Sequence, residues 1–159
     1  MISIPQEIAQ EIAQHAITWY AGECCGLLFA KQGSTDVTRC VCMDNLQDQY
    51  HEKMPEDFPR TSKDAFKLNE RDVMRQSEAA EANGETLLSI FHSHIDCGAY
   101  FSDEDKLMAA PFGEPNDPSL WHVVMDCQPD GVHGAKAYKW DGEDFAEHIL
   151  TDFPTVLKA

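Results

Sequence analysis

The sequence predicts an α/β or α+β fold, in which helices pack against a mixed and mostly antiparallel sheet. An amphipathic row of residues recurs at helical spacing near the start of the chain, and apolar runs that favour strands follow it. The two kinds of segment then alternate to the end of the chain. A chain of 159 residues can bury one hydrophobic core, so we expect residues 1–159 to form a single domain.

The first part of the chain predicts a helix, a hairpin and a long loop. Ile4, Ile8 and Ile12 recur at helical spacing, which predicts an amphipathic helix over residues 5–19. The apolar run CGLLFAK and the alternating run DVTRCVCM flank the turn QGST, and together they predict a β-hairpin. Residues 44–60 carry two prolines and many charges, and we interpret them as a loop.

The second part of the chain predicts further helices and strands. DAFKL, residues 64–68, favours a short strand, and Asn69 is placed to cap a helix that Asn83 and Gly84 end. TLLSIFHSH predicts a buried strand, and LWHVVMDC and GAKAYKW around QPDGVH predict a strand pair. The segment DGEDFAEHIL is interpreted as a short closing helix.

The charge and the apolar runs exclude several classes of partner. The formal net charge is -16, with 28 acidic and 12 basic residues, so the protein should repel phosphate backbones and anionic lipids. No apolar run approaches the roughly 20 residues of a membrane helix, and MISIPQEIAQE lacks the features of a secretion signal. We therefore expect a cytoplasmic protein that binds neither nucleic acid nor membranes.

The cysteines predict reduced thiols rather than a disulfide framework, because they lack the density and spacing of a secreted scaffold. Cys24 and Cys25 alternate faces of one predicted strand, while Cys40 and Cys42 share a face of the next. We favour core packing for at least one of each pair. No Cys-x-x-Cys pair exists, so a cysteine-rich zinc site has no obvious framework.

The segment HSHIDCGAYFSDED, residues 92–105, carries the chemistry. His92 and His94 project from one face of a strand, and a pair at this spacing can chelate a metal ion. Ser102 can cap the next helix, which places Asp105 in its first turn as a third ligand. Two imidazoles and a carboxylate leave one position open for water, as in catalytic zinc sites, although iron, cobalt and nickel also suit these ligands.

Each of these features also has a structural interpretation. Ser-x-x-Asp imitates a capping box, and a histidine pair on a strand is more often a surface or hydrogen-bonded pair. Glu23, directly before an apolar strand, is a candidate for the base that hydrolysis needs, or an ordinary loop glutamate. The combination in this order favours the metal site.

Taken together, GECCGLL and HSHIDCGAYFSDED resemble the JAMM metalloprotease family, also called MPN-plus or JAB, and its bacterial members in particular. The family pattern is a distant glutamate, His-x-His, seven residues, a serine, two residues and an aspartate. Glu23, His92, His94, Ser102 and Asp105 match every element. The resemblance implies a curved sheet flanked by helices, related in topology to cytidine deaminases.

The resemblance also implies an activity and a role for each residue. His92, His94 and Asp105 would bind zinc, Glu23 would act as general base and then acid, and Ser102 would help to hold the oxyanion. The reaction would be hydrolysis of a peptide or isopeptide bond. The run AYFS is similar to bacterial members thought to act with ubiquitin-like sulfur-carrier proteins, which end in a Gly-Gly tail.

Two departures from the family pattern lie between the histidines and the aspartate. Many members have proline after the second histidine and before the serine, where this chain has Ile95 and Phe101. These differences change the stiffness of the loop but leave every predicted ligand in place, so we do not interpret them as a loss of activity.

Two other functions compete with a protease. A catalytically silent scaffold of the same fold would lack one or more of the five matched positions, and here all five are present. A zinc deaminase needs His-x-Glu and Pro-Cys-x-x-Cys, and the sequence contains neither.

Overall fold

Four helices and seven strands alternate along the chain, and the computed structural model describes residues 1–159. The helices are α1 (Gln6–Trp19), α2 (Gln47–Lys53), α3 (Glu70–Ala82) and α4 (Asp103–Ala109). The strands are β1 (Cys25–Lys31), β2 (Val37–Met43), β3 (Glu85–Ile95), β4 (Trp121–Gln128), β5 (Gly131–Trp140), β6 (Phe145–Ile149) and β7 (Val156–Leu157). None of the helices combines the length and the apolar character needed to cross a bilayer.

All seven strands belong to one mixed sheet, in the order β2-β1-β3-β4-β5-β6, with β7 paired to β5. Only β3 and β4 run parallel, and the remaining pairs are antiparallel. The predicted class is confirmed, as are the hairpin of β1 and β2 and the strand pair of β4 and β5. Because β3 lies between β1 and β4, its carboxyl end is supported from both sides.

The two faces of the sheet pack against different helices. One face forms the main core with α1, and it includes Ile12, Leu28, Phe91 and Val123. The other face carries a smaller cluster around Leu27, Phe29, Leu68 and Ala80, and a third cluster of Phe101, Val124, Tyr138 and Phe145. Since side chains alternate along β3, its histidines face away from α1.

The predicted loop at residues 44–60 is partly wrong, because it contains helix α2. Asn45 organises this segment from a buried position. Its side-chain oxygen accepts hydrogen bonds from the backbone N–H groups of Gln47 and Lys67, at 2.9 Å each, and its amide donates to the carbonyl oxygens of Glu23 and Ala65. These partners are distant in sequence, so local composition alone could not indicate the helix.

The two elements predicted on either side of Asn69 have different outcomes. The helix capped by Asn69 is confirmed as α3, since the Asn69 side chain accepts a hydrogen bond from the N–H of Asp72. The short strand expected at residues 64–68 is wrong, and this segment has no regular structure.

The expected closing helix is also wrong, because the segment forms β6, which pairs with β5. Asp141 starts the turn between the two strands, and its side chain accepts hydrogen bonds from the N–H groups of Glu143 and Asp144. Gly142 takes the positive φ of 108° that this turn requires. Burial of Phe145 then fixes which face of β6 packs inward.

Candidate active site

His92 and His94 lie side by side near the carboxyl end of β3. One residue separates them, so both imidazoles point to the same face of the sheet. Their Nε2 atoms are 3.2 Å apart, and the two residues are only 1% and 3% exposed. The structure thus brings the two predicted ligands together as a buried pair.

Asp105 brings a carboxylate to the same point from the first turn of α4. Its Oδ2 atom lies 3.2 Å from Nε2 of His92 and 3.0 Å from Nε2 of His94. Burial acts to raise the pKa of Asp105, but hydrogen bonds from the two histidines outweigh it and hold this pKa well below its ordinary value of 3.8. The carboxylate is therefore in its ionised form, which is the form that binds metal ions.

Ser102 caps α4 and also fixes the position of Asp105. The backbone N–H of Asp105 donates to Oγ of Ser102, and the backbone N–H of Ser102 donates to Oδ2 of Asp105, each at 3.0 Å. This reciprocal pair is a capping box. The structural interpretation of Ser-x-x-Asp is therefore confirmed, and the carboxylate oxygen within the cap is the same one that faces both imidazoles.

The donor atoms of His92, His94 and Asp105 fit a divalent metal ion. They lie 3.0–3.2 Å from one another, whereas ligands placed tetrahedrally around zinc at about 2.0–2.1 Å would lie about 3.3 Å apart. A small outward movement would therefore accommodate the ion. Imidazole binds metal ions in its neutral form, so the three side chains as ligands would carry one negative charge from the carboxylate, and a dication between them would offset it.

Glu23 lies two residues before the first residue of β1, on the face of the sheet that carries the two histidines. Cys25 pairs with His92 across β1 and β3, and Glu23 precedes Cys25 by two residues, so alternation directs both side chains to that face. Glu23 is only 4% exposed. Burial raises the pKa of its carboxyl group to about 9, and the negative charges of Asp105 and Asp64 add to this effect.

Three hydrogen bonds hold the backbone around Glu23. Its N–H donates to the carbonyl oxygen of Ser62 at 2.6 Å, and its carbonyl oxygen accepts from the Asn45 side chain at 2.9 Å. The N–H of Cys24 donates to Oγ of Ser93 at 2.8 Å. Ser93 lies between the two histidines, so this last bond fixes Glu23 relative to them.

The sequence comparison decides the family of this chain. A family model described as prokaryotic homologs of the JAB domain matches residues 5–140, a range that contains all five site residues. The chain belongs to the prokaryotic JAB family. The resemblance seen in the sequence is thereby confirmed.

Individual relatives of this JAB chain agree with the family and with the fold. A desampylase from Haloferax volcanii is 25% identical over 150 residues, which are 92% of each chain. The solution structure of a protein from Desulfitobacterium hafniense has a TM-score of 0.66 and 24% identity, and covers 94% of this chain and 90% of its own. A crystal structure of a JAB1/MPN domain protein from Archaeoglobus fulgidus has a TM-score of 0.51 and 15% identity, and covers 90% and 94%.

Phe101, one of the two departures from the JAMM pattern, anchors the loop before Ser102. Its ring is buried against the rings of Tyr138 and Phe145, with centroids 5.1 and 5.0 Å away. The hydroxyl of Tyr138 also donates to the carbonyl oxygen of Ala99 at 2.8 Å. Packing of Phe101 and the hydrogen bond from Tyr138 therefore hold this loop in place, whereas in family members with proline at this position the proline ring restricts the backbone.

Two aromatic residues that the sequence did not indicate orient the histidines of the JAB site. Phe66 stacks on His92 with ring centroids 4.5 Å apart, and Tyr100 meets His94 edge-on at 4.8 Å. Phe66 lies in the segment mistaken for a strand, and nothing local in the sequence indicates its contact with His92. Both contacts restrict the rotation of the imidazoles.

A cavity of about 450 Å³ opens beside His92 and Asp105. It lies between the segment before α3 and helix α4, with His122 of β4 among its walls. Burial lowers the pKa of His122 to about 4, so this imidazole is neutral at pH 7. The apolar residues that line the cavity are Phe58, Pro59, Ala65, Phe66, Leu68, Val73, Ile90, Phe101, Met108 and Ala109. The cavity therefore offers an apolar surface next to three side chains that could hold a metal ion.

Proposed function

We propose that this protein is a zinc-dependent metallopeptidase or isopeptidase, formed as one domain by residues 1–159. Its substrate is the C-terminal Gly-Gly tail of a ubiquitin-like or sulfur-carrier protein, and it hydrolyses the peptide or isopeptide bond that follows the tail. The observation that carries the proposal is the convergence of His92, His94 and Asp105, together with a buried Glu23 carboxyl group on which the charge of Asp105 acts. The relative named desampylase supports a ubiquitin-like partner.

Each of the five residues has a role in this reaction. His92, His94 and Asp105 would hold zinc, which when bound supplies a Lewis acid that acidifies water and polarises the scissile carbonyl group. Beside a bound dication the ionised form of Glu23 would be favoured, and this carboxylate could then accept a proton from the attacking water and deliver it to the leaving amine. The Oγ atom of Ser102 accepts a hydrogen bond within the cap, and its own proton is available to donate to the oxyanion.

The shape of the site favours a thin substrate. Because His92 and His94 are almost fully buried, a scissile bond flanked by bulky side chains would have difficulty reaching them. A Gly-Gly segment has no side chains and can approach closely. The apolar cavity beside the histidines can then accept a larger side chain of the same tail. The site would therefore select a tail that is narrow at the scissile bond and carries an apolar side chain nearby.

A cleavage assay tests the proposed function. Ubiquitin-like and sulfur-carrier proteins would be joined through their Gly-Gly tails to a reporter, once by a peptide bond and once by a lysine isopeptide bond. We expect the zinc-loaded protein to cleave at least one of the two linkages after the second glycine, and a chelator to stop cleavage. A matched tail ending in Val-Val should resist cleavage. A zinc-loaded protein that cleaves no Gly-Gly substrate would support the catalytically silent scaffold instead.

Replacing Ser102 with alanine should lower kcat by about 10²- to 10³-fold, the usual effect of losing one donor to an oxyanion. The same change removes the cap of α4, at a cost of about 0.5–2 kcal/mol in the free energy of unfolding. Ser102→Thr keeps the hydroxyl group and the cap, and should retain most activity. Zinc affinity must be measured in parallel. If Ser102→Ala binds zinc more weakly but has an unchanged kcat once it is loaded with zinc, Ser102 only positions Asp105 and does not bind the oxyanion.

A further inference from the structure

A second group of metal-binding side chains lies on the opposite face of the sheet. The Sγ atoms of Cys40 and Cys42 and a carboxylate oxygen of Glu11 all lie within 4.8 Å of one another. We propose that Glu11, Cys40 and Cys42 form a separate site for a thiophilic metal ion such as zinc or cadmium. This proposal is independent of the proposed function, because the three residues lie on the α1 side of the sheet.

The elements that carry the three ligands are held together by other contacts. Cys40 and Cys42 are alternate residues of β2, which is an edge strand, and they pair regularly with Leu28 and Gly26 of β1. Glu11 reaches them from α1. The Nε2 atom of His15, one turn further along α1, lies 3.0 Å from the carbonyl oxygen of Met43 at the end of β2. The helix and the edge strand are therefore fixed relative to each other before any ion binds.

The strand geometry favours a shared metal ion over a disulfide. Residues two apart on a regular strand are separated by about 6.5 Å, because a strand rises about 3.3 Å per residue. A disulfide needs Cβ atoms about 3.5–4.5 Å apart, so Cys40 and Cys42 cannot form one without distorting β2. Two sulfurs bound to one zinc at about 2.3 Å lie about 3.8 Å apart, which the two side chains can span from their present positions.

The charges around Cys40 and Cys42 also favour a cation. The two Sγ atoms lie within 4.8 Å of each other, so a single ion could bind both after the thiols lose their protons. Glu11 adds a carboxylate. The neighbouring Arg39 points to the other face of β2, where it pairs with Glu85 at 3.0 Å. Thiolate ligands select zinc, cadmium or copper(I) over magnesium and calcium.

The proposed site is open to solvent and has three protein ligands. Glu11 and Cys42 are exposed and Cys40 is half-buried, so an ion can enter from solvent. Three protein ligands leave one tetrahedral position for water. A bound ion would join the first helix to the edge strand and so stabilise the folded chain, by an amount that grows with the logarithm of the free ion concentration above Kd.

Cobalt(II) titration of the reduced full-length protein tests this site. Thiolate-bound cobalt gives a sulfur-to-metal charge-transfer band, and the site of His92, His94 and Asp105 has no sulfur ligand. We therefore expect the wild type to bind two equivalents and to show the band. The Cys40→Ser/Cys42→Ser variant should lose the band and one equivalent, whereas His92→Ala/His94→Ala should lose one equivalent and keep the band.

Two further variants make the assignment specific. Cys97→Ser removes an exposed thiol near the other site and should leave the band unchanged. Glu11→Gln keeps both thiols and should weaken cobalt binding at least as much as the loss of a residue that only supports a ligand, which costs on the order of 10- to 100-fold. Circular dichroism would verify that each variant is folded. The proposal is overturned if excess cobalt gives no band in the wild type, if the band survives Cys40→Ser/Cys42→Ser, or if Glu11→Gln binds as tightly as the wild type.

Discussion

Replacing His92 and His94 together with alanine is expected to remove one zinc ion per chain and to reduce cleavage of Gly-Gly tails to the background rate. Asp105 alone would remain of the three donors, and a single carboxylate does not hold zinc against competition from water. Elemental analysis of the purified protein measures the loss of zinc. The measurement is best made on the Cys40→Ser/Cys42→Ser background, where the proposed second metal site cannot contribute.

His122→Ala is the matched control for this experiment. His122 is a buried imidazole on the neighbouring strand and lines the same cavity, but it does not belong to the convergent group of donors. The control should therefore keep its zinc. If the double variant also retained a full equivalent of zinc on the Cys40→Ser/Cys42→Ser background, the assignment of the two histidines as ligands would be wrong.

Replacing Glu23 with glutamine should lower kcat by about 10²- to 10⁴-fold, the usual contribution of a general acid or base, while zinc content stays unchanged. Glutamine has nearly the same shape as glutamate, so the fold and the donor group should not change. Single-turnover cleavage with the zinc-loaded variant measures the effect. Undiminished, zinc-dependent cleavage by Glu23→Gln would assign the base to another group.

The pH dependence of stability gives an independent check on Glu23. In the metal-free protein its pKa is raised to about 9 from the ordinary value of 4.5, chiefly by burial. Between these two values the native state holds a proton that the unfolded chain has released, so the free energy of unfolding should fall as pH rises. The free energy of unfolding, measured by urea denaturation, should fall less between pH 5 and pH 8 for Glu23→Gln than for the wild type. Equal slopes for the two proteins would show that Glu23 titrates normally.

Local sequence patterns were sufficient for much of the fold and for the residues of the candidate site. The spacing of Ile8 and Ile12 gave α1, because one face of that helix is buried in the main core. The alternation of His92 and His94 placed both imidazoles on one face of β3. Ser102 gave the start of α4, because a cap acts only on the turn that follows it.

The features that were not predicted depend on contacts between distant residues. Helix α2 is joined to the rest of the fold through Asn45, whose partners include Glu23 and Lys67. Phe66 stacks on His92 only after the chain has folded. The error at β6 was of another kind, since Asp141 and Gly142 form a dipeptide that favours a hairpin turn, and this local signal was available.

The capping box of α4 has a consequence for how the family can diversify. One carboxylate oxygen of Asp105 both starts the helix and faces the imidazoles, so an insertion or deletion between Ser102 and Asp105 would destroy both arrangements at once. Residues 96–98, which join β3 to this region, contribute no donor atom to the histidine site. Their side chains can therefore change in evolution without altering the donor group, while the seven-residue spacing from His94 to Ser102 keeps Asp105 in place.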